Sequence, residues 1–536
     1  MEKRTLLALA LSFLVLGFYP VVLEKFYPGY NKSGKAVPTT PSSEMAPKPA
    51  SVQKLIKGGA LTADDDLILR NESLALVFNK KDGGIREVAF PLFISSETSR
   101  PIQFVSLNNT GVSSSSLLIS KGADTVLVTD YAASSEKDQA TFSALALDGK
   151  LRVSKSLTLG PEKYSGELLL RLENTGEESL TMNYELVVGS GITPRHSIDA
   201  QYIEANFFSE NGDKKVLKHP KESRPGKSIT SDGNVQWVAV KDRHFSIVMK
   251  PEGAFTGLVR GLGANDFSAS IISPALTLPA RGSLDQKFLV YIGPNEIERL
   301  EPLGLGDLVN FGKFDMIGRF FVGALEMLHK ACRSYGLAII ALTVLINLLL
   351  FPLTRVSYMS MKRMQLIQPQ MTKLREHHKK NPEKLNKEMM ELYKKHKVNP
   401  FGGCLPMVLQ IPIFIALYVA LSKSVILINS HFLWMKDLSS PDRVYLPFTL
   451  PFVGNYIHLL PLLMVGAMVL QQKLTQIKMD GQDPATAAQQ KMMAVMMPIV
   501  FGFIFYQMPS GLVLYWLTNT VIMLAYQLRL KNMTLA

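Results

Sequence analysis

Among the uncharged polar or amphipathic side chains that interrupt the apolar runs of the C-terminal half are Thr343, Asn347, Gln410, Gln472, Tyr515, Trp516, Thr518 and Asn519. Polar groups are expensive in lipid, so each needs a hydrogen-bond partner or water. Thr343 and Asn347 stand four residues apart and share one helix face. Tyr515 and Trp516 stand one turn before Thr518 and Asn519. For one such residue, bonding to a neighbouring helix is a sufficient explanation. Several together, converging on the cytoplasmic half of a bundle, point to a wetted cavity. The chemistry on offer is hydrogen bonding without a fixed charge.

Other chemistries lack their residues. The Gly226–Ser228 tripeptide GKS has no earlier Gly at the phosphate-loop offset, and no HExxH string occurs. His377 and His378 sit among Lys and Arg, which repel a metal ion, while His196, His219 and His244 have no ligand spacing. Asp64, Asp65 and Asp66 read as a solvated turn. The two cysteines, Cys332 and Cys404, fall near opposite membrane faces and suit packing better than a disulfide. No cofactor, metal or catalytic residue is expected, and the chain does not read as an enzyme.

The elements that position the polar residues follow from a basic stretch, Arg355–Lys397. Twelve Lys/Arg against four Asp/Glu give it +8 of the chain's +13. It lies between two uncharged runs, Leu337–Leu353 and Cys404–Leu421. Lys and Arg in short loops stay in the cytoplasm, so this block orients the molecule. A uniform basic field for DNA is not what these residues build. Leu366, Met371 and Leu374 recur before Asn381-Pro382, and Leu385, Met389 and Leu392 after it. That pattern predicts two antiparallel amphipathic helices broken at Asn-Pro. Their lysines, Lys379, Lys380, Lys384, Lys394 and Lys395, are candidates for docking a ribosome or a protein partner.

Thr5–Leu23 is an uncharged run behind Lys3 and Arg4, read as a retained transmembrane anchor over 1–23. A Pro/Ser/Thr-rich tether follows over 24–57. The next part, 58–300, holds 26 Lys/Arg and 30 Asp/Glu, and its alternating apolar residues predict a β-sandwich. Leu151, Val153, Leu157 and Leu159 show that alternation, as do Met182, Tyr184 and Leu186. Phe314, Ile317, Phe321, Leu325 and Leu328 mark an interfacial amphipathic helix over 311–333. Beyond it the expected order is a second span at 336–354, the basic hairpin at 355–399 and a third span at 400–426. A periplasmic segment at 427–452 and a fourth span at 453–472 follow. A cytoplasmic loop at 473–491 then leads to the fifth and sixth spans, at 492–508 and 511–530. The fold class is therefore a polytopic α-helical membrane protein of six spans, five of them a core, with a β-rich domain. Several spans of only about 17 residues imply local bilayer thinning.

The string Lys397–Tyr418, KVNPFGGCLPMVLQIPIFIALY, resembles a signature of the YidC family of membrane protein insertases. Phe351–Thr354, Pro509–Tyr515 and Gln472-Lys473 resemble further family motifs, and the domain order looks like the Gram-negative form. The resemblance implies a bacterial inner-membrane protein with both termini cytoplasmic and a periplasmic β-supersandwich. It also implies a hydrophilic groove open to cytoplasm and lipid. On matching positions, Thr343, Gln472 and Trp516 fall in that groove, joined by the neighbouring Asn347, Gln410, Tyr515 and Asn519. Ile413, Phe414, Leu417, Phe501 and Phe505 fall on the apolar slide formed by the third and fifth spans. Implied partners are nascent membrane proteins, the Sec translocon, a transiently bound ribosome and the lipid bilayer. One departure stands out: Asn347 occupies the position where the family commonly carries an Arg. The competing classes are a membrane-anchored sugar-binding or carbohydrate-modifying protein and a transporter, although no repeat between spans supports the latter.

Overall fold

In the computed structural model the described residues are 66–531, apart from 96–97, 107–112, 123, 191, 193, 195–196, 219–225, 264–265, 379–380, 397, 399–404, 451–453 and 476–483. The expected anchor (1–23) and tether (24–57) lie outside them, as do Lys379, Lys380 and Cys404. The chain divides into two compact units, 1–308 and 309–536.

The first unit is built by the alternation read above. Over Leu151–Leu159, residues 151, 153, 155, 157 and 159 point inward and the intervening ones are more exposed. A four-stranded antiparallel sheet runs Asp66–Arg70, Ala75–Asn79, Gly84–Ile94 and Pro101–Ser106, in chain order. A second sheet of 15 strands carries the rest. Its long strand, Ser228–Lys241, shifts register between Thr230 and Asn234. Its first part pairs with Thr256–Gly263 and its last part with Phe245–Pro251, so one strand joins two stretches of sheet. The smaller sheet closes the sandwich: Phe90 stacks on Phe245 with ring centroids 4.2 Å apart, and Phe78 meets Phe142 at 5.1 Å. Trp237 is wholly buried in the same core.

The second unit is helical: α1 (Asp315–Cys332), α2 (Tyr335–His377), α3 (Pro382–Lys395), α4 (Leu405–Lys423), α5 (Leu459–Thr475), α6 (Pro484–Phe505) and α7 (Ser510–Lys531). Arg333, in the left-handed region at φ 54°, ends α1 by donating its N–H to the His329 carbonyl. Helix α1 buries Phe321 and Leu325, yet Met316, Phe320 and Met327 stay exposed, so apolar surface faces outward as well.

Several boundaries differ from the expected ones. No break separates a span ending at 354 from the basic hairpin, because α2 continues for 43 residues through Pro352 and Pro369. Passing from an apolar to a basic sequence changes the side chains, not the backbone, and Met, Leu, Lys and Gln keep the helix going. The Asn381-Pro382 break does end it: Asn381 Oδ1 accepts the Lys384 N–H at 3.1 Å and caps α3. Helix α5 begins at Leu459 rather than near 453, since Gly454–Ile457 pairs with Val444–Leu450 as a hairpin. Helix α6 begins at Pro484, eight residues before the expected 492, and ends at Phe505. Among the described residues, two helical stretches are long and apolar enough to cross a membrane, Tyr335–Met364 and Ser510–Arg529. Three more, Gln410–Lys423, Leu459–Leu474 and Val495–Phe505, are apolar but shorter.

Candidate functional site

The helical unit is closed at one end by the segment that follows α4. Ser510 and Gly511, at the start of α7, donate backbone N–H groups to the carbonyls of Ser440 (2.8 Å) and Leu438 (2.9 Å). Ser510 Oγ donates to the Asp437 carbonyl at 3.0 Å. The Asp437 carboxylate accepts from the backbone and hydroxyl of Ser439, at 2.8 and 2.7 Å. Asp442 accepts from Leu460 N–H at 2.9 Å, in the first turn of α5, and from Trp434 Nε1 at 3.1 Å. Orphan donors at two helix starts are thereby satisfied, and the Asp442 carboxylate sits at the start of α5, where the helix dipole favours it. Gly336 permits the closest approach, since a Cβ there would lie 2.1 Å from the Phe432 ring.

Beneath this cap runs a seam of neutral polar groups. Thr343 is fully buried and donates its hydroxyl to the Ile339 carbonyl at 2.7 Å. Asn347 Nδ2 donates to the Thr343 carbonyl at 2.8 Å and, across helices, to Asn519 Oδ1 at 3.0 Å. Gln410 Nε2 donates to the Tyr515 hydroxyl, and Tyr515 is 1% exposed. Trp516 closes an aromatic cluster, with ring centroids 4.9 Å from Phe414, 5.4 Å from Phe501 and 5.3 Å from Phe505. Thr520 donates its hydroxyl to the Trp516 carbonyl at 2.9 Å. Gln472 Oε1, near the end of α5, is buried and has no hydrogen-bond partner among the described residues. Asn347, Gln410, Gln472, Trp516 and Asn519 are half-buried, so the seam reaches the surface, whereas Thr343 and Tyr515 lie inside.

The residues expected on the apolar slide divide. Ile413, Phe414 and Phe501 are half-buried, but Leu417 (1% exposed) and Phe505 (2%) belong to the bundle core. The exposed apolar side chains of the same helices include Ile411 and Ile415 on α4, and Met492, Val495, Met496, Met497, Ile499, Phe503 and Ile504 on α6. On α6 these residues form a broad apolar face rather than a narrow stripe, since Val495, Met496 and Met497 are consecutive and all exposed. Lys384, Lys394 and Lys395 are exposed on α3. The hairpin that carries them is held by Ile367, Met371 and Val398 and by His378 Nε2 against Glu388 at 2.9 Å.

Sequence reasoning missed two groups. One is the capping pair Asp437 and Asp442, whose only signal is acidic residues just outside apolar runs. The other continues the seam past Asn347. Tyr358 Oη accepts from Gln527 Nε2 at 2.7 Å, and the Tyr526 ring meets Phe351 and Tyr358, both at 5.3 Å. Tyr358 lies beyond the apolar run that ends at Leu353, and nothing in the sequence marks its contact with Tyr526 and Gln527 near the end of the sixth span.

An apolar helical bundle holding an uncharged polar seam, in one chain with a β-sandwich, defines a membrane protein with a β-rich domain. The match to known proteins is specific. A model of the YidC periplasmic domain covers residues 67–324, and one described as the 60Kd inner membrane protein covers 327–535. The membrane protein insertase YidC of Pelobacter propionicus is 32% identical over 99% of both chains. That of Citrifermentans bemidjiense is likewise 32% identical over 99% of both. A crystal structure of an active YidC insertase with its first transmembrane domain resolved aligns with 91% of this chain and 97% of its own, at 20% identity and TM-score 0.38. The chain belongs to the YidC family of membrane protein insertases, which are proteins of the inner membrane. Relatives of that name over the full length do not favour the sugar-binding alternative.

Proposed function

We propose that the protein inserts client proteins into the bacterial inner membrane, alone or beside the Sec translocon, without hydrolysing ATP. In this reading six spans place both termini in the cytoplasm and the β-sandwich in the periplasm. The capped end of the bundle then faces the periplasm, and the basic hairpin reaches a ribosome or partner through Lys384, Lys394 and Lys395. The seam of Asn347, Gln410, Gln472, Trp516 and Asn519 receives the polar tail of a client while its apolar segment slides along α4 and α6. The observation that carries the reading is the neutral polar seam, half-open to the surface, inside a bundle sealed at one end by Asp437 and Asp442.

Transfer costs supply the driving force. Each apolar side chain moved to the bilayer centre gains roughly 0.3–0.6 kcal/mol, while a charge costs about 2.5–3.5 kcal/mol. A client span therefore drives its own insertion once passage of a short tail is made less costly, which hydrated amides and short helices achieve. Large, heavily charged tails exceed that driving force and require the translocon. Photocrosslinkers at positions 347 and 516 should capture a nascent single-span client, and depletion should leave its tail protected from periplasmic protease. Crosslinkers at both positions that never capture a client sink the reading.

A further inference from the structure

Two interhelical hydrogen bonds have an arrangement that the groove reading leaves unused. Tyr515 and Asn519 are four residues apart and share one face of α7. Tyr515 is bonded to Gln410 of α4, and Asn519 to Asn347 of α2. Helix α7 is thus tied to a different neighbour at each of two successive turns, by neutral groups alone. Each tie is also incomplete. Among the described residues, Asn347 Oδ1 and Gln410 Oε1 accept no hydrogen bond from the protein, and Asn519 Nδ2 donates none. At the Asn347–Asn519 pair one spare acceptor and one spare donor are the complement of a peptide unit, which presents one N–H and one C=O, and at the Gln410–Tyr515 pair the spare Oε1 is an acceptor for a peptide N–H.

We propose that the Asn347–Asn519 and Gln410–Tyr515 pairs are exchange sites for the main chain of a client's polar segment. Resting on the insertase reading, the pairs satisfy each other when no client is present. They part when a segment enters, and they then bond its backbone amides. A neutral amide pair suits this task better than an ion pair. Interhelical hydrogen bonds in membranes are weak, and a peptide group offers the same donors and acceptors as the bond it replaces. A buried ion pair, once parted, leaves two desolvated charges that a peptide cannot neutralise. The ligand class is therefore unfolded polypeptide backbone, whatever its side chains. The number of uncharged peptide units in the tail sets how strongly a client depends on the pairs.

The test compares Asn347→Leu/Asn519→Leu with the unmodified full-length protein in proteoliposomes, using two single-span clients. One client carries a polar, uncharged tail of about twenty residues and the other a tail of two or three. Leucine keeps the helix contact but abolishes the exchange. Insertion of the long-tailed client, read by protease protection, should fall about three- to twentyfold, the range one interhelical hydrogen bond supplies. Insertion of the short-tailed client should fall by a clearly smaller factor, because few of its peptide units reach the pairs. Equal losses for both clients would mean a merely structural tie, and no loss for either would mean no exchange; both overturn the proposal. Gln410→Leu applies the same criteria to the second pair if the double variant fails to accumulate. A crosslinker at Trp516 in the unmodified protein separates the two levels. Capture there with an indifferent leucine variant removes the exchange and leaves the groove, whereas absence of capture removes the groove itself.

Discussion

The β-rich unit and the helical unit solve the burial of polar groups in opposite ways. In the β unit, charges are buried beside partners, and at Lys155 every donor is used. Lys155 is 1% exposed, and its ammonium donates to the carbonyls of Asp82 (3.2 Å), Gly83 (2.7 Å) and Ser115 (2.8 Å). It also lies 4.6 Å from the centroid of the Tyr131 ring. Asp82 in turn accepts from Gly84 N–H and from the Ser116 hydroxyl. Arg243 pairs with Asp199 at 3.4 Å, both nearly inaccessible. The helical seam holds amides, hydroxyls and an indole, with no charge among them. A saturated charge cluster fixes one conformation, because parting it exposes desolvated ions. A neutral seam with spare donors and acceptors can part and re-form. On the exchange proposal, the difference divides labour between a unit that holds its shape and one whose seam opens.

The largest expected effect tests the rigid side. Lys155→Ala removes all three donated hydrogen bonds and the cation that Asp82 faces, leaving carbonyls from two loops unpaired. Breaking a buried charged arrangement costs about 3–5 kcal/mol. Hydrogen exchange on the full-length variant should show residues 151–159 opening at correspondingly lower free energy, with the helical unit unchanged. A loss under about 1 kcal/mol would mean that the cluster is not saturated as described.

The next effect is smaller and reverses the comparison by placing a charge in the seam. Asn347→Arg puts a guanidinium beside Asn519 at membrane depth, where a charge costs about 2.5–3.5 kcal/mol before it finds partners. Clients with acidic tails should then insert faster than those with basic tails, while the unmodified protein should distinguish the two weakly. Strong discrimination by the unmodified protein would show that a charge elsewhere already governs the seam.

A third test uses proton linkage at Lys155. Burial pushes this ammonium down to about 7, with Asp82 opposing the shift, whereas an unfolded lysine titrates near 10.4. Between those values the unfolded chain holds a proton that the folded one releases. The β unit therefore gains stability as pH rises above about 7, by about 1 kcal/mol between pH 7 and 8. Lys155→Met should flatten the profile. Opening free energies that do not rise, or a methionine variant with the same slope, would refute the linkage.

Local signals carried much of this architecture. The period-two run at 151–159 became one strand, and Asn381-Pro382 became a capped helix break, because both are decided by neighbouring residues. Lys155 occupies an inward position of that run, so the sequence already marks an anomaly there; its partner Asp82, 73 residues away, is set by sheet packing. The same holds for Gln410 and Tyr515, 105 residues apart. Leu417 and Phe505 illustrate a different limit. Past Gln410 in α4 and past Lys491 in α6, apolar residues surround the helix, so no polar stripe distinguishes the face toward the bundle from the face toward lipid. The continuity of α2 was hidden because charge patterning reports the membrane boundary, while helix continuity depends on backbone hydrogen bonds.

The smallest effect is the most discriminating for the seam. Asn347→Ala deletes one interhelical hydrogen bond, to Asn519, and one bond to the Thr343 carbonyl. Single bonds of this kind in membranes average about 0.6 kcal/mol and reach about 1.7. The Gln410–Tyr515 tie, the Trp516 cluster and the Asp437 and Asp442 caps all remain. Insertion should therefore fall severalfold, and growth after depletion of the native protein should be slowed but not lost. If Asn347→Ala abolished insertion as completely as loss of the whole protein, the groove would depend on one indispensable residue. The contrast between a replaceable neutral seam and a saturated charged core would then fail, since Asn347 would be as fixed in its role as Lys155.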